Sequence, residues 1–335
     1  MAGLPDDLVA LASRVSNRGR WGDDDQRGTL NLIDAAAVQR GVAAARQGRP
    51  FSLAVPFDAE GPQTGAIPGR ENPALVMNMV ALAITGDPAG FTTSDDKMSM
   101  GVQAATHWDA LSHVGYGGEL YNGNPSSVVT EAGAQRLGIE NFGPVVSRGI
   151  LLDIARLKGV DHFEDGYPIT AQDLDEALDR TGLSVEPGDI VVVRTGHMHF
   201  LRIGERDRYR MICPGLSTGT IEWMHRHDVG AVATDTFVLE CFPPEDPAVM
   251  LPVHMIQLRD MGLAQGQIWF LDDLAADCDA DGQYDFLLTA SPVPLTGSTG
   301  GIVVPTAVKE RAVAHRRSGG GGGVVAVGAS QEPGS

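Results

Sequence analysis

The apolar residues of this chain come in short segments, and this pattern limits what the chain can fold into. From Phe51 onward, apolar runs of a few residues alternate with polar loops and a few helices. Runs of this length that are rich in Val and Ile and bounded by turn residues are typical of β-strands. The predicted strands are 51–55, 75–84, 149–153, 189–195, 230–234 and 301–304.

Helices are fewer than strands. We predict helices over 35–46, capped by Asp34, over 171–180, capped by Thr170, and over 218–227, capped by Ser217. Several connections between strands look too short for a βαβ crossover. The pattern therefore favours an α/β chain of the α+β kind, with a mixed sheet or β/β/α layers, over a doubly wound fold.

The chain divides into three parts on composition. Residues 1–50 read as a helical N-terminal arm, and residues 51–312 as one catalytic domain. Residues 313–335 contain five consecutive glycines, which lose much conformational entropy on ordering. We expect that last part to be a flexible tail with no catalytic role.

Composition excludes several classes of function. The net charge of −18 argues against nucleic acid and against anionic membrane surfaces, both of which attract basic proteins. No apolar run reaches the length of a membrane-spanning helix, and the N-terminus lacks the pattern of a secretory signal. The three cysteines are odd in number and widely spaced, which implies neither a disulfide framework nor a zinc finger. We expect a cytoplasmic protein with reduced thiols and a small-molecule substrate.

The segment from Gln103 to His113 is the strongest functional signal. It places His107, Asp109 and His113 within seven residues. If the segment is extended, Gln103, His107 and Asp109 share one face, because side chains alternate along a strand. His113 follows where glycines predict a turn. Metal-capable groups on one face beside a free histidine favour an active site over a core pattern, although a single His-x-Asp can arise by chance.

With its flanking segments, this motif resembles the putative cyclase family, which includes bacterial kynurenine formamidase and isatin hydrolase. The family signature is His-x-Gly-Thr-His-x-Asp-x-x-x-His, and here Thr106, His107, Asp109 and His113 match it. Segments 187–196, 214–217, 229–235, 254–274 and 291–301 are similar to further family motifs, so the resemblance covers about residues 50–310. Segments 21–31 and 121–123 resemble a longer subgroup of the family.

The resemblance implies a fold and a set of residue roles. The fold would be the swivelling β/β/α-type layered domain of the family. His107 and Asp109 would bind a divalent metal, zinc or manganese, and His113 would be the catalytic acid and base. His254 and Asp272 match the late histidine and glutamate that complete a second metal site in dinuclear members. A homodimer or tetramer is also implied, and the apolar 76–84 stretch supports it weakly.

The main departure from the family is Gln103, which stands where the signature has its first histidine. A neutral amide oxygen binds zinc much less well than imidazole does. Three outcomes follow: Gln103 is a weak or water-mediated ligand of manganese or magnesium; the metal binds through His107, Asp109 and His254; or the metal is lost. Asp272 is also one methylene shorter than glutamate, which favours a single metal over two.

The predicted function is a metal-dependent hydrolase of C–N bonds in amides, formamides or cyclic amides, or of lactones. A metal-activated water would attack the carbonyl, with His113 as acid and base. One alternative is a metal-free cyclase or dehydratase that uses His113 and His107 as acid and base. Another is a small-molecule binding protein without catalysis.

Overall fold

A computed structural model describes residues 4–45 and 48–309. Its main feature is a curled mixed sheet, which contains nine strands within those residues. The predicted tail, 313–335, lies outside the described residues. The prediction of a mixed sheet in an α/β fold is confirmed.

The strands are numbered along the chain. They are β1 (Arg49–Ser52), β2 (Ala74–Ala83), β3 (Thr92–Ser99), β4 (His107–Asp109), β5 (Val129–Thr130), β6 (Gly133–Ala134), β7 (Val146–Asp153), β8 (Pro168–Ile169), β9 (Ile190–Arg194), β10 (Gly215–Leu216), β11 (Ala231–Thr234), β12 (Ala264–Gln267), β13 (Asp285–Thr289), β14 (Gly300–Ile302) and β15 (Thr306–Lys309). The order in the large sheet is β1-β15-β13-β7-β9-β11-β12-β4-β14. Its four central strands, β7, β9, β11 and β12, are mutually parallel, and the remaining pairs are antiparallel.

The α-helices are α1 (Asp6–Arg14), α2 (Ala35–Ala44), α3 (Ile154–Leu157), α4 (Ala171–Thr181), α5 (Met198–Arg202), α6 (Arg206–Met211), α7 (Thr220–Arg226), α8 (Pro252–Ile256) and α9 (Asp272–Asp281). A π-helical turn, Gln257–Met261, follows α8 directly. None of the helices in the described part of the chain is long and apolar enough to cross a membrane.

Two of the predicted helix caps are confirmed and one is wrong. The Asp34 side chain accepts the Ala37 N–H at the start of α2, and Thr170 caps α4. Ser217, however, does not cap α7, which begins three residues later. The backbone carbonyl of Ser217, not its hydroxyl, accepts hydrogen bonds from the N–H and hydroxyl of Thr220. A turn therefore precedes α7, and the helix begins at Thr220 and not at residue 218.

The central strands are buried on both faces. In β7, Ile150 and Leu152 belong to one apolar cluster and Leu151 to another, as expected for side chains that alternate across the sheet. Helices α1, α4, α7 and α8 contribute to the first cluster, and α9 contributes to the second. Parallel strands covered on both faces read as continuous apolar runs, which explains why sequence alone located β9 and β11 well.

The segment from Gln103 to Asp109, which the sequence analysis considered as an extended strand, is a strand only in its last three residues. Residues 102 and 103 form a turn, a bend follows, and β4 begins only at His107. The side-chain hydroxyl of Thr106 explains the change of direction. It donates to the Ile268 carbonyl at 2.6 Å and accepts the Val55 N–H at 3.0 Å, so it ties the chain to two neighbouring segments.

Candidate active site

The register of β4 places the motif side chains. His107 and Asp109 face the same side of the sheet, and Trp108 faces the other. On one neighbouring strand, β12, Gln267 is the register partner of His107. The Trp108 indole is buried and donates to the Ala290 carbonyl at 2.7 Å, so it fixes which face the two polar side chains occupy.

His107 is buried and oriented by its own backbone. Its Nδ1 lies 2.7 Å from the Ala105 carbonyl, which can only accept, so Nδ1 carries a proton. Nε2 then points toward Asp109 Oδ1 at 3.4 Å. Neither Nε2 nor Oδ1 has a hydrogen-bond partner among the described residues. Leaving a buried polar atom unpaired costs about 1–3 kcal/mol, so this pair of atoms is typical of a place where a polar group binds.

Asp109 and His113 form a carboxylate–imidazole pair. Nε2 of His113 lies 3.6 Å from Asp109 Oδ1, and the His113 side chain is 22% exposed whereas that of Asp109 is 1% exposed. Burial alone would raise the pKa of Asp109, but His113, His107 and His254 hold it well below its usual range. Burial also lowers the pKa of His113, more than the Asp109 charge raises it. Near neutral pH the pair is therefore an ionised carboxylate beside a neutral imidazole.

His254 reaches the same carboxylate from α8. Its Nε2 lies 3.8 Å from Asp109 Oδ2, and its Nδ1 lies 2.5 Å from Glu240 Oε1. The two oxygens of Glu240 also accept the backbone N–H groups of Val253 and His254, so Glu240 holds the first turn of α8. The Gln267 amide lies between the two side chains, 2.7 Å from Asp109 Oδ2 and 3.0 Å from His254 Nε2.

The structure thus brings together four of the six residues predicted for the site: His107, Asp109, His113 and His254. Gln103 lies beside them, against Gly300, the strand partner of Asp109 in β14, and its amide donates to the Thr299 hydroxyl at 3.3 Å. Asp272 lies elsewhere, at the start of α9, where it forms ion pairs with Arg194 at 2.9 Å and Arg202 at 3.3 Å.

Three residues at the site were not predicted from the sequence: Glu240, Gln267 and Arg70. One feature of the sequence pointed to Gln267. The buried strand β12 contains two alternating glutamines, and buried polar side chains need hydrogen-bond partners. No such feature pointed to Arg70. The Gln63 amide donates to the Ala104 carbonyl, and the Gly101 N–H donates to the Glu71 carbonyl, so the segment that contains Arg70 is bound to the approach of the motif. Its positive charge acts on His113, His254 and Asp109.

Comparison with known proteins places this site in a family. The sequence pattern of the family described as "Putative cyclase" matches residues 51–240. A crystal structure described as a novel cyclase is 38% identical, covers 89% of this chain and 99% of its own, and superposes with a TM-score of 0.81. This chain belongs to the cyclase family. The match of His107, Asp109 and His113 to the family signature therefore lies within an established family relationship.

More distant members share the fold. Isatin hydrolase A from Ralstonia solanacearum is 18% identical over 92% of this chain and 100% of its own, with a TM-score of 0.59. An isatin hydrolase bound to the product analogue thioisatinate is 16% identical over 83% of this chain and 100% of its own, with a TM-score of 0.56. At these identities the likeness concerns the cyclase fold. No protein of curated function matches the chain.

The metal that the family resemblance implies does not fit the side chains present. A catalytic zinc site needs three protein ligands. Among residues 4–45 and 48–309, no three His, Cys, Asp or Glu side chains are arranged so that they could hold an ion together. The Gln267 amide contacts Asp109, the Gln103 amide lies against Gly300, the strand partner of Asp109, and neutral amides are weak metal ligands. The chemistry below is therefore derived from the side chains alone.

Proposed function

We propose that this protein is a hydrolase that cleaves an amide, formamide, cyclic amide or lactone carbonyl, with His113 as general base and then general acid. The observation that carries the proposal is the Asp109–His113 pair. Its carboxylate is buried and ionised, and its imidazole is neutral and partly exposed. A neutral imidazole beside a fixed carboxylate can accept a proton at neutral pH and is stabilised once it is charged.

The reaction would begin with a water molecule at the two unpaired atoms, His107 Nε2 and Asp109 Oδ1. Both atoms are acceptors when His107 is neutral, so a water can donate to either of them. His113 takes a proton from this water while the water oxygen bonds to the carbonyl carbon of the substrate. The C–N or C–O bond of the resulting tetrahedral adduct then breaks, and His113 returns the proton to the departing nitrogen or oxygen.

The direction of substrate approach follows from burial. The side chains of His107, Asp109 and His254 are at most 4% exposed, whereas that of His113 is 22% exposed. A substrate therefore reaches the group from the His113 side. The positive charge of Arg70 acts on the same group and would favour the negative charge that develops on the carbonyl oxygen.

Membership in the cyclase family supports an enzyme, and the relatives named isatin hydrolases support hydrolysis as the class of reaction. The proposal keeps the catalytic role of His113 that the sequence suggested. C–N specificity stays a prediction, and no step above relies on it or on a bound metal.

The test is a hydrolysis screen over formamides, cyclic amides and lactones, followed by the variant His113→Ala. We expect turnover of the best substrate to fall by about two to four orders of magnitude, because general acid–base catalysis contributes that much. His225→Ala on α7, which removes a half-buried histidine outside the site, is the matched control and should retain activity. Full activity in His113→Ala, or no turnover of any member of the panel by the wild type, would contradict the proposal.

A further inference from the structure

Gln267 occupies the space between two side chains that the family resemblance assigns to a metal. Its amide nitrogen lies 2.7 Å from Asp109 Oδ2 and 3.0 Å from His254 Nε2. All three side chains are buried, and Gln267 extends from the strand that pairs directly with β4. The late carboxylate that the resemblance implies was predicted at Asp272, but the side chain that faces Nε2 of His254 is this neutral amide.

The positions of the protons follow from the partners. The Asp109 carboxylate can only accept, so the end of the Gln267 side chain that faces it is the NH₂ group. The Glu240 carboxylate accepts a hydrogen bond from Nδ1 of His254, and the Gln267 NH₂ group, which can only donate, faces Nε2 of the same ring, so Nε2 is the acceptor of that contact. The two N–H bonds of one amide can therefore satisfy Asp109 Oδ2 and His254 Nε2 together.

We propose that the Gln267 amide takes the place of the metal ion at this site and that the centre works without a bound divalent metal. A metal bound between Asp109 Oδ2 and His254 Nε2 would use the same two lone pairs that Gln267 now fills. The amide is a poor substitute ligand for zinc, and Gln103, which stands where the family signature has its first histidine, is also an amide. Gln267 is then a positioning residue, which orients Asp109 and His254 by hydrogen bonds.

This inference concerns the ligand chemistry of the site that carries the proposed function. Its test measures metal binding and not turnover, so either one can fail while the other stands. Hydrolysis that requires His113 together with tight metal binding would remove only the role given to Gln267. An absence of both hydrolysis and metal binding would remove only the proposed function.

The first measurement is metal binding by the wild type. The full chain, purified without chelator, is analysed by elemental mass spectrometry and then titrated with zinc and with manganese at pH 8 by calorimetry. Asp109→Asn is the reference, because it keeps the shape of the side chain and removes its charge. We expect far less than one equivalent of metal and the same weak binding in both proteins. About one equivalent in the wild type that Asp109→Asn loses would overturn the proposal.

The second measurement adds stronger metal ligands at the two amide positions. Gln267→Glu alone, and Gln103→His with Gln267→Glu, should bind zinc or manganese about 10–100-fold more tightly than the wild type, the range by which groups around a metal centre change its affinity. Gln135→Glu, which adds the same charge at an exposed position, should bind as the wild type does. If folded Gln267→Glu binds no better than Gln135→Glu, the amide is not what keeps metal out. If circular dichroism shows that the double variant is unfolded, the metal affinities of Gln267→Glu and the wild type decide whether the amide keeps metal out.

Discussion

At the scale of single residues, the electrostatic setting of His113 predicts how activity depends on pH. Burial, His254, Arg70 and His107 lower the pKa of His113, and Asp109 raises it. The base is active when neutral, so kcat/KM should fall as pH drops through a value below the usual 6.5 of histidine. Arg70→Met removes one positive charge and should move this acidic limb to higher pH, with a larger loss of kcat/KM at pH 6 than at pH 8.

Arg70→Lys is the control for that prediction, since it keeps the charge and should leave the acidic limb in place. The measurement is kcat/KM from pH 5 to pH 9 for the wild type and both variants. An acidic limb that stays in place in Arg70→Met would show that Arg70 does not act on His113. Equal losses in both variants at every pH would instead indicate a role for the guanidinium geometry.

Only part of this site could be predicted from the sequence. His107, Asp109 and His113 could be predicted because their spacing is local and matches a family signature. Gln267 and Arg70 could not, since they approach Asp109 through strand pairing and through a loop bound to the motif. Asp272 shows the converse. Its position in the sequence fitted a metal ligand. In the fold, however, it forms ion pairs with Arg194 and Arg202, and no local sequence pattern predicts these pairs.

At the scale of elements, the start of α4 predicts a measurable contribution to stability. The Thr170 hydroxyl accepts the Asp173 N–H at 3.1 Å, and Asp173 accepts the Thr170 N–H at 2.8 Å, which completes a capping box. Thr170→Ala should lower the free energy of unfolding by about 1 kcal/mol, within a range of about 0.5–2 kcal/mol. Thr170→Ser keeps the hydroxyl and should stay close to the wild type. Urea denaturation followed by circular dichroism measures the difference, and equal midpoints for Thr170→Ala and the wild type would contradict it.

Elements with strong local signals were predicted from the sequence, whereas the other elements and the partners of each strand were not. Strands β9 and β11 and helix α4 carry strong local signals, namely continuous apolar runs and a capped amphipathic stripe. Strand β4 carries none, because three residues are too few to show alternation, and its length depends on the bonds of Thr106 to Val55 and Ile268. Sheet order and register are long-range properties, and in this chain they decide which side chains meet at the site.

At the scale of the whole molecule, the hairpin of β2 and β3 carries an exposed apolar surface that the structure of a single chain does not explain. It forms its own two-stranded sheet, and a lone hairpin is at best marginally stable in water. Large apolar side chains along it are between 46% and 73% exposed: Leu75, Val76, Met77, Val80, Leu82, Ile84, Phe91 and Met98. An exposed apolar surface of this kind is typical of an interface between proteins. The hairpin also starts just after Arg70 and ends just before Gln103, so it projects from the neighbourhood of the site.

We therefore predict that this hairpin joins copies of the chain, in line with the homo-oligomer expected from the sequence. Light scattering on the wild type should give a mass that is a multiple of 35.3 kDa. Leu75→Glu with Val80→Glu places two charges on the hairpin and should shift the mass toward that of one chain. Val160→Glu, at an exposed valine of similar size away from the hairpin, should leave the mass unchanged.

A wild type that stays at 35.3 kDa at high concentration, or a double variant that keeps the wild-type mass, would show that the hairpin has another role. Because charge on one hairpin strand should not alter the Asp109–His113 pair directly, activity lost together with the oligomer would further indicate that the site depends on a second copy.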